Sequence, residues 1–178
     1  PVGMTNLVSS SGVVAADVSG VGTAQQYPAA CEYGTDTAIF AFGTTGSVTN
    51  LSHLISNLGV VGADVSGVGT ARVAPGGCSY GFDKGIIAYG DAGPGSVTNV
   101  SNLISNSGVV ATDTTGVGTA RAYPAACEYL GGKAIVAYGT DNVSNYNMSN
   151  LISNAGVVAT DTSGVGTARQ ALGGCSFG

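Results

Sequence analysis

Hydrophobic residues in this chain occur in short stretches separated by Gly, Asp, Asn and Ser. In the region with the clearest pattern, the stretches cover residues 124–129, 133–138, 150–153 and 156–160. They are rich in Val, Ile and Tyr and are bounded by turn-forming residues, which is typical of short β-strands joined by tight turns. No helical apolar period extends over ten residues without a Gly. The pattern therefore predicts an all-β protein.

The same sequence pattern is repeated almost four times along the chain. The string Gly-Val-Gly-Thr-Ala begins at Gly20, Gly67, Gly116 and Gly164, at intervals of 47, 49 and 48 residues. Self-similarity of this period indicates repeats that bury their apolar faces against one another. We predict a single repeat domain over residues 1–178, with repeats at about 1–49, 50–98, 99–146 and 147–178, the last one incomplete.

Each repeat is expected to supply four strands. Small residues dominate the first strand, as in Ala-Ala-Cys or Gly-Gly-Cys, which suits a crowded inner position, and the second strand carries bulky Ile, Val, Phe and Tyr. About four strands in 47–49 residues favour a β-propeller-like array of four-stranded blades, with about 3.7 repeats present. A β-solenoid is the alternative. The connections over residues 44–50, 91–99 and 140–147 are predicted to be variable recognition loops.

One repeat carries a family resemblance. From Arg121 it reads Arg-x-Tyr-Pro-Ala-Ala-Cys-Glu-Tyr-x-Gly-Gly-Lys-Ala-Ile-Val-Ala-Tyr-Gly, which resembles the kelch repeat. Arg72, Arg121 and Arg169 fall on the kelch Arg, whereas Gln25 replaces it in the first repeat, and the usual Trp is missing. The amino-acid sequence of the repeat is also similar to the repeats of uncharacterised phage and viral structural proteins. These resemblances imply a propeller and a structural or adhesive role, and they carry over no catalytic residue.

Composition and charge exclude several partners. Only 8% of residues are charged and 44% are hydrophobic, so the chain is expected to fold. The net charge is −5 and the five basic residues are scattered, which argues against nucleic acid, because phosphate binding needs clustered Lys and Arg. The longest apolar stretches are far shorter than the roughly 18 residues that cross a bilayer, so no membrane insertion is expected.

The four cysteines, one per repeat, are Cys31, Cys78, Cys127 and Cys175. Their sequence context alternates between repeats, which suggests the disulfides Cys31–Cys78 and Cys127–Cys175. The alternative is buried free thiols, because equivalent positions on neighbouring blades lie near or beyond the roughly 7 Å Cα limit for a bridge. Their spacing fits no metal cluster.

An Asp precedes each Gly-Val-Gly-Thr-Ala string by three residues. We interpret these residues as turn caps that accept hydrogen bonds from their own turn: Asp17, Asp64, Asp113 and Asp161. One carboxylate per turn is too few for a Ca²⁺ site, so no metal and no cofactor are expected.

Four Asn-x-Ser sequons, at Asn50, Asn99, Asn142 and Asn147, are possible glycosylation sites. Chance occurrence in an Asn- and Ser-rich chain is the other interpretation. With the low charge, they suggest an extracellular or virion-surface location.

No catalytic constellation is visible. His53 is the only histidine and is interpreted as a polar loop residue that has drifted from the Asn found at Asn102 and Asn150. Glu32 and Glu128 lie on alternate repeats, so their spacing does not indicate the paired acids of glycoside hydrolysis. The near-identity of the repeats also argues against an enzyme.

The sequence therefore predicts a non-enzymatic structural or adhesive repeat protein of a virion or extracellular surface assembly. It would associate with copies of itself through blade edges or faces, since exposed strand edges invite pairing. The alternative is a carbohydrate-binding, lectin-like β-propeller, with glycans as its partners and repeated exposed aromatic residues as its signature.

Overall fold

The computed structural model describes residues 3–176, and within that range it contains β-strands and no helix. The prediction of an all-β fold is confirmed. The strands are β1 (Met4–Thr5), β2 (Val18–Ser19), β3 (Ala29–Tyr33), β4 (Thr37–Ala41), β5 (Ser52–Ile55), β6 (Gly76–Tyr80), β7 (Lys84–Asp91), β8 (Val97–Ile104), β9 (Ala125–Tyr129), β10 (Lys133–Thr140) and β11 (Asn145–Ile152). Because no helix is present, none in the described range could cross a membrane.

The strands form one short antiparallel pair and three three-stranded antiparallel sheets. The pair is β1–β2, and the sheets have the orders β3-β4-β5, β6-β7-β8 and β9-β10-β11. The sheets follow the repeat period, but the third strand of each sheet (β5, β8 or β11) lies beyond or crosses the predicted repeat boundary. No closed barrel or ring of strands is found among the described residues.

The central strands of the second and third sheets, β7 and β10, are longer than expected because each contains a β-bulge. The register between β7 and β8 shifts between Ala88 and Gly90, which places Tyr89 at a positive φ of 64°. The same shift occurs between Ala137 and Gly139 in the third sheet. Pairing resumes beyond the bulge. Parts of the predicted recognition loops at 91–99 and 140–147 therefore lie in β8 and β11.

The predicted fourth strand of each repeat is reduced to two isolated bridges. After β8 these join Ile104 to Val110 and Ser101 to Thr114. Equivalent bridges follow β5 and β11. Each repeat is thus a three-stranded sheet with a fourth segment held at two points.

Neighbouring sheets pack face to face, which explains why β7 is buried on both sides. Ile87 joins a cluster with Ile39 and Phe42 of the first sheet, whereas Ile86 joins a cluster with Val136 of the third. Backbone hydrogen bonds continue from repeat to repeat at the entry to each inner strand: Tyr27 O accepts from Ala74 N, Ala74 O from Tyr123 N, and Tyr123 O from Ala171 N. The sheets therefore form one continuous array.

Candidate functional site at the junctions between repeats

Two arginines are the largest completely buried side chains in the array. Arg72 and Arg121 have 0% relative exposure. Each stacks on an aromatic ring of the preceding sheet: the Arg72 Cζ lies 3.9 Å from the centroid of Phe42, and the Arg121 Cζ lies 4.1 Å from that of Tyr89. A desolvated cation over an aromatic face is a favourable contact. Each arginine therefore joins two sheets.

Every nitrogen of the two buried guanidinium groups donates at least one hydrogen bond. Arg72 donates from Nε to Tyr89 O (2.7 Å), from Nη1 to Thr70 O (3.0 Å) and from Nη2 to Ile87 O (3.2 Å) and Asn102 Oδ1 (2.7 Å). Tyr89 is the bulge residue, so the ladder irregularity leaves its carbonyl for the guanidinium. Burial lowers the pKa of Arg72 to about 10, an effect opposed by the nearby Asp113 carboxylate, and the group stays charged at neutral pH.

The third repeat reproduces this arrangement. Arg121 donates to Tyr138 O (2.7 Å), Thr119 O (3.0 Å), Val136 O (3.3 Å) and Asn150 Oδ1 (2.7 Å). Since the partners are equivalent residue by residue, the junction is a repeated structural unit.

The aspartates connect repeats instead of capping their own turns. Asp113 accepts from the backbone N–H of Thr70 (3.0 Å) and from its Oγ1 (2.6 Å), although the residues are 43 positions apart. Asn102 Nδ2 also donates to Asp113, at 2.9 Å. Burial alone would raise the pKa of Asp113, but the hydrogen bonds from Thr70 and Asn102 and the charge of Arg72 outweigh it and hold this pKa below its usual value.

The other predicted turn caps have matching partners. Asp161 accepts from Thr119 and Asn150, and Asp64 accepts from Thr23. Asp17 accepts from Asn6 Nδ2 at 2.8 Å. For Asp64, Asp113 and Asp161 the donors include a Thr of the preceding repeat, so these three aspartates join repeats, whereas Asp17 bonds to Asn6 within its own repeat.

The first junction departs from this pattern. Gln25 occupies the arginine position, and His53, on β5, occupies the position of Asn102. His53 Nε2 lies 2.6 Å from Asp64 Oδ1, and His53 is only 5% exposed, so the interpretation as a loop residue is wrong. Hydrogen bonds from Thr23, with a further one from His53, lower the pKa of Asp64 to about 2. Gln25 Nε2 is buried without a hydrogen-bond partner among the described residues.

The last junction is half formed. The Arg169 Cζ lies 4.5 Å from the ring centroid of Tyr138, as in the other junctions. However, Arg169 is exposed, and its Nη2 donates to Tyr138 Oη at 3.1 Å instead of to strand carbonyls.

All four cysteines are free thiols, so neither Cys31–Cys78 nor Cys127–Cys175 is bonded. They lie on or beside the inner strands and line one shared cavity. Cys31 and Cys78 are buried, and burial raises the pKa of Cys31 to about 12. A thiol of such high pKa is a poor nucleophile, which favours a packing role for the buried pair.

The sequon asparagines are used in local structure. Nδ2 of Asn50, Asn99 and Asn147 donates to Gly69 O (2.8 Å), Gly118 O (2.6 Å) and Gly166 O (2.9 Å), respectively. The exposed Asn142 donates to Asp91 Oδ2 at 2.9 Å. Glycosylation at these four positions stays a prediction, and Asn142 is the most accessible of them.

The acids considered for catalysis are not arranged as a pair by any shared hydrogen bond. Glu128 accepts from Ser79 Oγ at 2.8 Å, and Glu32 is exposed at the rim of the cysteine-lined cavity. Among residues 3–176, no group of three or more His, Cys, Asp or Glu residues is suited to hold a metal ion.

In comparisons with known proteins, no family model matches the chain and no curated protein is similar to it. The kelch-like and phage-like resemblances therefore stay predictions.

Proposed function

We propose that this chain is a non-enzymatic structural repeat protein that self-associates within an extracellular or virion-surface assembly. The observation that carries the proposal is the repeated junction, in which an arginine on an aromatic ring joins consecutive sheets. The third sheet carries the same pair, Arg169 on Tyr138, and here the arginine is exposed and the tyrosine is half-buried.

This pair supports a second copy as the occupant of this face of the third sheet because it continues an interface already present within the chain. Val165 is 89% exposed on the same segment, whereas the equivalent Val68 and Val117 are half-buried between repeats. Covering Val165 and Arg169 with the first-repeat side of another copy would extend the array. Hydrophobic burial and a desolvated cation–π contact would both stabilise the contact.

The finer architecture that we propose is an open, kelch-like propeller. Its support is the shared cavity lined by the inner strands of successive repeats, where small residues allow close approach. The fourth segments held at two bridges would be the outer strands of the blades. A β-solenoid would require successive rungs to stack without such convergence.

The lectin-like alternative has weaker support. Aromatic residues recur in three successive repeats at two positions. At the first, Phe42 and Tyr89 are completely buried under arginines and Tyr138 is half-buried. At the second, Tyr33 and Tyr80 are buried and Tyr129 is half-buried. They offer no repeated exposed platform for sugar rings. The polar groups of the two complete junctions are likewise satisfied by one another, which favours a structural role over catalysis.

The test is light scattering of the purified chain over a wide concentration range. We expect an average mass that rises with concentration above the 17.3 kDa of one chain. Arg169→Ala with Tyr138→Ala should weaken association at least tenfold, whereas Lys133→Ala, which removes another exposed cation of the same repeat, should not. A wild-type chain that stays monomeric throughout would overturn the proposal.

A further inference from the structure

A cavity lies at the first junction, where the repeat pattern is broken. Its walls include Gln25, Phe40 and His53, with Met4 and Val61. Gln25, Phe40 and His53 all depart from the repeat. The position of Gln25 is held by arginine in the next two repeats (Arg72 and Arg121). Phe40 is replaced there by the aliphatic residues Ile87 and Val136. Asn102 and Asn150 hold the position of His53. Three irregular residues therefore line one cavity.

In the two regular junctions, the space that corresponds to this cavity is filled. There, a guanidinium group lies between strand carbonyls and an Asn side chain, close to the aspartate. The glutamine side chain is shorter than arginine and carries no charge. Asp64 is ionised at neutral pH, so the first junction has the carboxylate of the regular junctions without their arginine.

The remaining acceptors are at the corresponding places. By strand register, the carbonyls of Phe40 and Phe42 hold the positions of the Ile87 and Tyr89 carbonyls that accept from Arg72. Phe40 adds an aromatic ring where the other repeats have aliphatic residues. The unpartnered Gln25 carboxamide also has an oxygen that can accept a hydrogen bond when the group turns over.

We propose that the first junction binds the guanidinium group of a ligand, which takes the place of the arginine side chain found in the other two junctions. The planar cation would donate to carbonyls of β4 and to the Gln25 oxygen, and it would pack on Phe40 with the Asp64 charge nearby. A guanidinium suits this site better than an ammonium because its donors form a planar fork.

The experiment is a titration of the whole chain with methylguanidinium, followed by NMR chemical shifts, with methylurea as the neutral analogue of similar shape. We expect saturable shifts for methylguanidinium and binding at least tenfold weaker for methylurea. Tetramethylammonium at equal concentration controls for non-specific cation effects. Failure of methylguanidinium to saturate, or equal binding of methylurea, would overturn the proposal.

Variants locate the site. Gln25→Arg with His53→Asn rebuilds the regular junction and should reduce methylguanidinium binding at least tenfold. Gln26→Arg adds the same charge at the neighbouring exposed position and should leave binding within twofold. If the double variant does not fold, Phe40→Ile, the residue found at Ile87, should still weaken binding severalfold. Wild-type affinity in the folded double variant, or in Phe40→Ile if that is the variant tested, would disprove this location.

The site does not depend on self-association. The titration is therefore repeated in Arg169→Ala with Tyr138→Ala, the variant that weakens the proposed contact between copies. Unchanged methylguanidinium binding is expected there, and loss of binding would show that the ligand acts through the contact between copies and would disprove the assignment to the first junction.

Discussion

The Arg72 guanidinium lies 3.9 Å from the centroid of the Phe42 ring, and these two residues belong to consecutive repeats. The contact is completely buried and is repeated by Arg121 on Tyr89. A buried cation needs hydrogen-bond acceptors, and each nitrogen of the guanidinium group has one, among them the bulge carbonyl of Tyr89 and the Asn102 side chain. The sheets are therefore joined by polar contacts as well as by the apolar core.

The first prediction concerns removal of this buried cation. Arg72→Ala should lower the free energy of unfolding by about 3–5 kcal/mol, because it leaves a cavity and deprives buried acceptors of their partner. Arg169→Ala, at the exposed equivalent, should cost about 1 kcal/mol or less. Chemical denaturation of both variants measures the difference. Equal effects of the two substitutions would show that the buried contacts contribute little.

The second prediction tests the hydrogen bond between Thr70 and Asp113. In a double-mutant cycle, Thr70→Val and Asp113→Ala should show a coupling of about 1 kcal/mol, because either substitution removes the same cross-repeat bond. Thr70→Val with Asp64→Ala is the control, since Asp64 bonds to Thr23 in the neighbouring junction. Additive effects of Thr70→Val and Asp113→Ala would contradict the bond.

Much of the fold could be predicted from local patterns. The Val-, Ile- and Tyr-rich stretches bounded by Gly identify strands such as β9 and β10, because strand propensity and turn chemistry act over a few residues. These local patterns do not predict the bulge at Tyr89. The bulge places Tyr89 at positive φ and leaves its carbonyl to accept from Arg72, a partner that local sequence patterns do not indicate.

The junctions could not be derived from spacing along the chain. Asp113 finds its donor 43 residues away, and a local turn motif gives no indication of a partner at that distance. The sequence carries one signal for the first junction: Gln25 and His53, in adjacent repeats, both break the pattern. Paired departures of this kind indicate contact, and the structure places both residues around one cavity.

The third prediction is a loss of stability in acid. Folding lowers the pKa of Asp64 from 3.8 to about 2, so its contribution is fully present above the unfolded pKa and is lost as the pH falls through about 2. Asp64→Asn should therefore flatten the decline in stability between about pH 4 and pH 2. The control is Asp36→Asn, which removes an exposed carboxylate that accepts from Asn57. An unchanged acid profile in Asp64→Asn would contradict the assignment.

The fourth prediction concerns the thiols. Cys175 is exposed and Cys127 is half-buried, whereas Cys31 and Cys78 are buried. An aromatic disulfide reagent should label Cys175 first and Cys127 more slowly, and the buried pair should react only on unfolding, because burial raises their pKa values. Cys175→Ser should remove the fast phase. A protein that shows no free thiol under native or denaturing conditions would instead restore the disulfide interpretation.

The fifth prediction tests how closely the inner strands approach one another. A Cβ built on Gly77 would lie 2.7 Å from the carbonyl oxygen of Ala30 in the preceding repeat, so alanine fits only if the two strands move apart. Gly77→Ala should therefore reduce stability by about 1–3 kcal/mol. Gly173→Ala is the matched control, since a Cβ there meets nothing within 4 Å, and its effect should stay within about 0.5 kcal/mol. Thermal and denaturant unfolding of the two variants gives the comparison. If Gly77→Ala were as stable as Gly173→Ala, the inner strands could not lie as close as the packing of Gly77 on Ala30 requires.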